Sequence, residues 1–293
     1  MMQKAGENIN IQSASQKLKS SIKHPVSFVF FVLIAISVIF TVVSLGFLIG
    51  YILINGIPNL TPKLFAWHYT TENASMLPAL INTIWMTILA LVIAIPFGIG
   101  AAIYMVEYAK KGNKIVEIVR ITAETLTGIP SIVYGLFGML FFVTTCKMGL
   151  SLLAGALTLS IMVLPVIMRT TEEALLAVPD SFREGSFGLG AGKLRTVFRI
   201  VLPPAIPGIS SGIILAMGRI VGETAALIYT AGTVAEMPKN IFSSTRTLAV
   251  HMYSLSSEGL YMDQAYATAV ILLLLVVGIN TLSGAVARRL TKA

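Results

Sequence analysis

The sequence predicts an all-α integral membrane protein with six transmembrane helices and both termini in the cytoplasm. Three observations lead there. Of 293 residues, 56% are hydrophobic and 12% charged, against about 25% charged in soluble domains. Six apolar windows have lengths near the roughly 20 residues that cross a bilayer core. Finally, Lys and Arg fall between those windows rather than evenly along the chain. No long hydrophilic block separates the windows, so one membrane domain is expected over 26–293, behind a polar cytoplasmic tail at 1–25.

The first window, 26–53, follows a tail rich in Ser, Asn, Gln and Lys. It is much longer than a signal-peptide core and lacks a small-residue cleavage site, so it is expected to remain as a span. The second, 77–106, holds Pro96, Gly98 and Gly100, where a kink is tolerated if neighbouring helices satisfy the freed backbone groups. The third and fourth, 129–146 and 150–168, are separated by a tight outer turn at 147–149. The fifth, 207–229, and the sixth, 265–286, flank an outer connection at 231–264; another covers 54–76.

Cytoplasmic loops are enriched in Lys and Arg. One side carries Lys4, Lys17, Lys19 and Lys23, then Lys110, Lys111, Lys114 and Arg120, then Arg169, Arg183, Lys193, Arg195 and Arg199, and finally Arg288, Arg289 and Lys292. The other has only Lys63, Lys147, Lys239 and Arg246. The first side is therefore cytoplasmic. The net charge of +8 thus follows topology, and no nucleic-acid partner is expected. Cys146 is the single cysteine, and His24, His68 and His251 lie in different segments, so neither a disulfide nor a metal site is expected within the chain.

The connection at 179–204 is the most informative stretch. Pro179 and Asp180 break the preceding helix, and Ser181 with Glu184 three residues later makes a capping-box pattern. Gly190 and Gly192 end the new helix. A second amphipathic piece from Lys193 to Val201 puts Leu194, Val197, Phe198 and Val201 on one face, before Pro203 and Pro204 stop it. On periodicity alone this is equally a capped interfacial helix with no partner. The run Gly188-Leu-Gly190-Ala-Gly192-Lys193 is not a nucleotide-binding loop: a Walker A motif needs Gly and Ser or Thr where Phe187 and Leu194 stand.

Glu184, the small residues Gly185 and Ser186, Gly190, then Ile200, Leu202 and Pro203 resemble the EAA loop of ABC importer permeases at every spaced position, with Gly185 and Ser186 in place of two alanines. The resemblance implies a coupling helix that docks on a separate ATPase subunit, with Phe187 and Leu189 as apolar contacts and Glu184 as the charged one. It also implies that ATP and Mg²⁺ are bound by that partner, with no cofactor in this chain.

Within the fifth window Arg219 and Glu223 stand four apart, on one face of a helix. Intramembrane charges are costly and tend to mark a transport path; a self-neutralising packing pair is the alternative. The forked donors of Arg suit a tetrahedral oxyanion. Arg169, at the inner end of the fourth window, is a weaker path candidate that reads equally well as a positive-inside anchor, and Glu124 reads as interfacial.

The run Gly218-Arg-Ile-Val-Gly-Glu-Thr-Ala-Ala226 and the stretch Gly128 to Gly138 resemble phosphate-specific ABC permeases, and the stretch from Leu248 to Gly259 resembles their A-type, PstA-like subunit, together covering most of the chain from Leu77 onward. The resemblance implies a non-catalytic inner-membrane subunit. Its partners would be a homologous second permease subunit, two ABC ATPase subunits, an external phosphate-binding protein and the lipid bilayer. Importers of sulfate, molybdate or phosphonate share the architecture. An ion-coupled secondary transporter leaves the 179–204 loop unexplained, and no His, Cys or carboxylate cluster has catalytic spacing.

Overall fold

The computed structural model describes residues 25–110 and 112–292, which fall into two units divided at residue 54. The tail lysines and Lys111 lie outside the described residues, as do the side chains of Arg288, Arg289 and Lys292. The first unit holds most of one helix, α1 (Pro25–Gly56). It is apolar on every face, and its 32 residues, at 1.5 Å each, run about 48 Å.

The second unit contains the other spans. α2 (Leu77–Ile103) starts with Pro78 in its first turn, runs through Pro96, and ends in a π turn, Tyr104–Tyr108. α3 (Lys114–Thr127) is capped by Asn113, whose side chain accepts from the Ile115 N–H at 2.9 Å. α4 (Ser131–Gly138) continues as a π turn, Met139–Thr145. The tight outer turn follows, with Lys147 and Gly149 in the left-handed region. α5 (Leu152–Leu176) is capped by Ser151, accepting from the Ala154 N–H at 3.2 Å. Its first free N–H groups, on Leu152 and Leu153, donate to the Ser243 and Ile241 carbonyls at 3.0 and 2.9 Å, so an outer loop completes the cap.

After α6 (Asp180–Gly188), α7 (Lys193–Thr196) and a π turn, Val197–Val201, comes α8 (Leu202–Val221). α9 (Ala225–Thr230) and α10 (Leu248–Glu258) are short, and α11 (Met262–Lys292) closes the chain. α5 is central. α2 and α8 pack on it, α11 packs on α8, and α9 lies beside α4. Lipid gives helices no hydrophobic reason to associate, so the contacts rely on small residues and cross-helix hydrogen bonds. Ala90, Ala94 and Gly98 of α2 meet α5, and the single Ser160 hydroxyl proton is shared between the Ala156 carbonyl of its own helix at 2.6 Å and the Ala90 carbonyl of α2 at 3.0 Å. A methyl group on Gly212 of α8 would overlap the Thr170 side chain.

Four expectations change. The third span is not 129–146 alone: α3 precedes it, bent by 105° from the 131–145 segment, which with about 1.5 Å per residue is too short to cross a bilayer core unaided. Among the described residues five helices are individually long and apolar enough to cross, with the bent pair as a sixth. The fifth span is not 207–229 but Lys193–Val221. Pro203 and Pro204 do not stop the helix: the π turn Val197–Val201 runs directly into α8, and the two prolines stand at that junction, where the regular i to i−4 ladder is already interrupted. Finally, no capping box forms: the helix begins at Asp180 after an extended Pro179, so Ser181 is already inside it.

Candidate functional site

The 179–204 segment forms a helix–turn–helix whose outward surface is apolar with charges of both signs, Asp180 and Glu184 on the first helix and Lys193, Arg195 and Arg199 on the second. Gly190, at φ +81°, allows the reversal after α6 without a Cβ clash. Glu184 and Phe187 are exposed, and Leu189 is 91% exposed. Phe182, Leu194 and Phe198 add exposed apolar surface. The amphipathic face expected from Leu194 to Val201 is split, because Val197 and Val201 turn into the core while Leu194 and Phe198 do not; the π turn from Val197 shifts the register. Gly185 faces open space, whereas Ser186 is buried with its hydroxyl 2.8 Å from that of Thr196. Ile200 and Leu202 are half-buried and Pro203 exposed, forming the stem into α8.

Arg183 was legible in the sequence only as a cytoplasmic charge. In the structure its Nε and Nη2 both donate to Oε1 of Glu107, at 3.1 and 2.7 Å, and Nη2 and Nη1 donate to the Leu175 and Val178 carbonyls at 2.9 and 2.7 Å. No sequence signal links Arg183 with Glu107, 76 positions away.

Arg219 and Glu223 do not form the expected pair. α8 ends at Val221, and Glu223 lies beyond the Gly222 cap, buried, with Oε1 accepting from the Ala226 N–H at 3.1 Å. That carboxylate satisfies a free donor at the start of α9. Arg219 stays on α8, half-buried and without a hydrogen-bonding or ion-pair partner among the described residues. It lines an open cavity of about 620 Å³ with Ser211, Gly218 and Asn280. Thus the two charges are separated: one is a cap and the other an unpaired guanidinium at a cavity wall.

Arg169 lies inside α5, which continues two turns past the expected span end. Its guanidinium is 3.2 Å from Glu173 and 3.6 Å from Glu124. Both Arg169 and Glu124 line a cavity of about 210 Å³ between α3 and α5, with Arg120 and Glu172. The Arg120 Nη2 to Glu172 separation is 2.5 Å, and Glu172 is buried. Arg169 is therefore a member of an ion-pair network rather than a lone anchor.

At the outer end, the 245–251 segment is pinned to α2. The Leu248 N–H donates to Thr83 Oγ1 at 2.8 Å, and Asn82 Nδ2 donates to Thr245 Oγ1 at 2.5 Å. Arg246 is buried with its guanidinium 4.7 Å from the Tyr69 ring centre, and its Nε and Nη2 have no hydrogen-bond partner among the described residues. His251 is fully buried edge-on to Tyr69, its pKa lowered to about 3, first by burial and then by the Arg246 charge.

Comparison with known proteins yields one matching family model, described as binding-protein-dependent transport system inner membrane component, over residues 94–292. A probable ABC transporter permease protein, YqgI, of Bacillus subtilis (strain 168) is 36% identical over 236 residues, 74% of this chain and 78% of that protein. The phosphate transport system permease protein PstA of Mycobacterium leprae (strain TN) is 34% identical over 210 residues, 71% of this chain and 68% of that protein. Among solved structures, a chain of a bacterial alginate ABC transporter, in complex with an alginate pentasaccharide-bound periplasmic protein, superposes with a TM-score of 0.69. It is 15% identical and covers 96% of this chain and 99% of its own. This last likeness is one of fold.

Proposed function

The chain belongs to the binding-protein-dependent transport system inner membrane components, and on that basis we propose that it is a permease subunit of an ATP-driven importer of inorganic phosphate. It is a multi-pass inner-membrane protein, and its part is passage and coupling, not covalent chemistry. Partner subunits of the ABC ATPase type, two per complex, bind ATP and Mg²⁺ and hydrolyse it. A homologous second permease subunit completes the path, and an external phosphate-binding protein delivers the substrate. The single observation that carries this reading is the 180–188 helix: an exposed turn of Glu184, Phe187 and Leu189, mounted at the inner ends of α2 and α5, has the shape and chemistry to seat on a partner. Phosphate as substrate draws support from the PstA relatives and from Arg219, an unpaired forked donor at a cavity wall.

The test is uptake of labelled phosphate and sulfate by proteoliposomes holding the whole transporter. Glu184→Lys should abolish phosphate uptake with the complex still assembled, and Arg219→Gln should reduce it about tenfold or more, the loss of one charge-assisted contact. Uptake that survives Glu184→Lys and ATP depletion would overturn the ATP-coupled reading; sulfate entering as fast as phosphate would overturn the substrate.

A further inference from the structure

Among the ion pairs of the described residues, that of Arg183 and Glu107 is the most enclosed, with 14% and 7% of the two side chains exposed. It is also the one that bridges three segments. Glu107 stands in the π turn at the inner end of α2, the Leu175 and Val178 carbonyls lie at the inner end of α5, and Arg183 itself is on α6. Two donors converge on one carboxylate oxygen while two others hold backbone carbonyls, so the planar guanidinium is fixed in both position and tilt. The neighbouring link is weaker: Lys193 Nζ lies 5.0 Å from the Tyr108 ring centre. From α2 and α5 the contacts continue to α8, which carries Arg219.

We propose that the buried Arg183–Glu107 pair is the strut through which the 180–188 helix moves the inner ends of α2 and α5, making both residues positioning residues for energy coupling. The proposal rests on the coupling role assigned to this loop. A load applied to the exposed side of α6 needs a stiff connection to reach the spans. A directed, enclosed ion pair supplies that stiffness, whereas the exposed pairs of Arg169 are screened by solvent.

Replacing a buried ion pair by apolar residues of similar volume is often neutral for stability, but it removes the directed hydrogen bonds. The double variant Arg183→Met with Glu107→Leu therefore separates positioning from packing. In proteoliposomes of the whole transporter, phosphate taken up per ATP hydrolysed should fall by about fivefold to a hundredfold, the range of ordinary coupling energies. Arg183→Lys, which keeps charge but not the fork, should lie between that variant and the wild type. An assembled double variant with an unchanged ratio overturns the strut. If the double variant fails to assemble, Glu107→Gln is read in the same way, and either an unchanged ratio or failure of that variant to assemble overturns the proposal by reducing the pair to a folding requirement. Glu184→Lys, run in parallel, keeps the two readings apart. Continued ATP-driven uptake there sinks the coupling role of the loop, whereas its loss beside unchanged ratios in the pair variants sinks only the strut.

Discussion

The hydroxyls of Ser186 and Thr196 lie 2.8 Å apart inside the 179–204 segment, so the second of the two small residues after Glu184 is used within the chain itself. Gly185, the first, has open space around it. The two positions should therefore respond differently. Ser186→Ala should cost about 1 kcal/mol, the worth of one hydrogen bond, and Ser186→Leu about 1–3 kcal/mol through overpacking. Gly185→Ala should leave the isolated chain as stable as before or slightly more so. Thermal unfolding in detergent checks the order; equal losses at both positions would contradict this packing.

Arg219 and Glu223 should be energetically independent. Single and double Gln variants at these positions, compared by thermal stability, should give a coupling within about 0.5 kcal/mol of zero, as for sites without shared partners. A coupling above about 1 kcal/mol would restore the ion pair that the helix end at Val221 removes.

Glu223 should tolerate Gln better than Ala. Glu223→Gln keeps an oxygen to accept from the Ala226 N–H, whereas Glu223→Ala leaves that donor free at a cost of about 1 kcal/mol. Equal stability of the two variants would show that the cap contributes nothing.

His251 predicts acid sensitivity at the outer end. The unfolded chain binds a proton there near pH 6.5, but the folded chain does so only near pH 3, because burial and then the Arg246 charge oppose it. The unfolded state therefore holds more protons across that window, and stability should fall as pH drops from about 6.5 toward 3. In His251→Phe this component should vanish. Melting temperatures between pH 4 and 7 in detergent decide it, and parallel curves for the two proteins would refute the assignment.

Arg246 is a buried cation whose Nε and Nη2 have no acceptor among the described residues. Since an unpaired buried charge is costly while its alkyl stem packs well, Arg246→Met should not lower the melting temperature. A drop of several degrees would mean that the stacking on Tyr69 outweighs desolvation.

The class of fold, the approximate spans, their sidedness and the place of the exposed 180–188 turn were all legible along the chain. Each of these depends on local composition: apolar length, loop charge, and Pro or Gly at chain reversals. The sequence could not show that α3 is a helix bent against its successor, since the Ile residues at 115, 118 and 121 that stay exposed look the same as Val116 and Ala123, which pack inward. Nor could it show where α8 ends. Four-residue spacing puts Arg219 and Glu223 on one face only if the helix persists, and the exchange of a helical turn for a cap at Ala226 is decided by the packing of α9 beside α4. The link of Arg183 to Glu107 belongs wholly to tertiary structure. Sequence periodicity reports which side of one helix is apolar, whereas partners 76 residues apart meet only when the helices between them have packed.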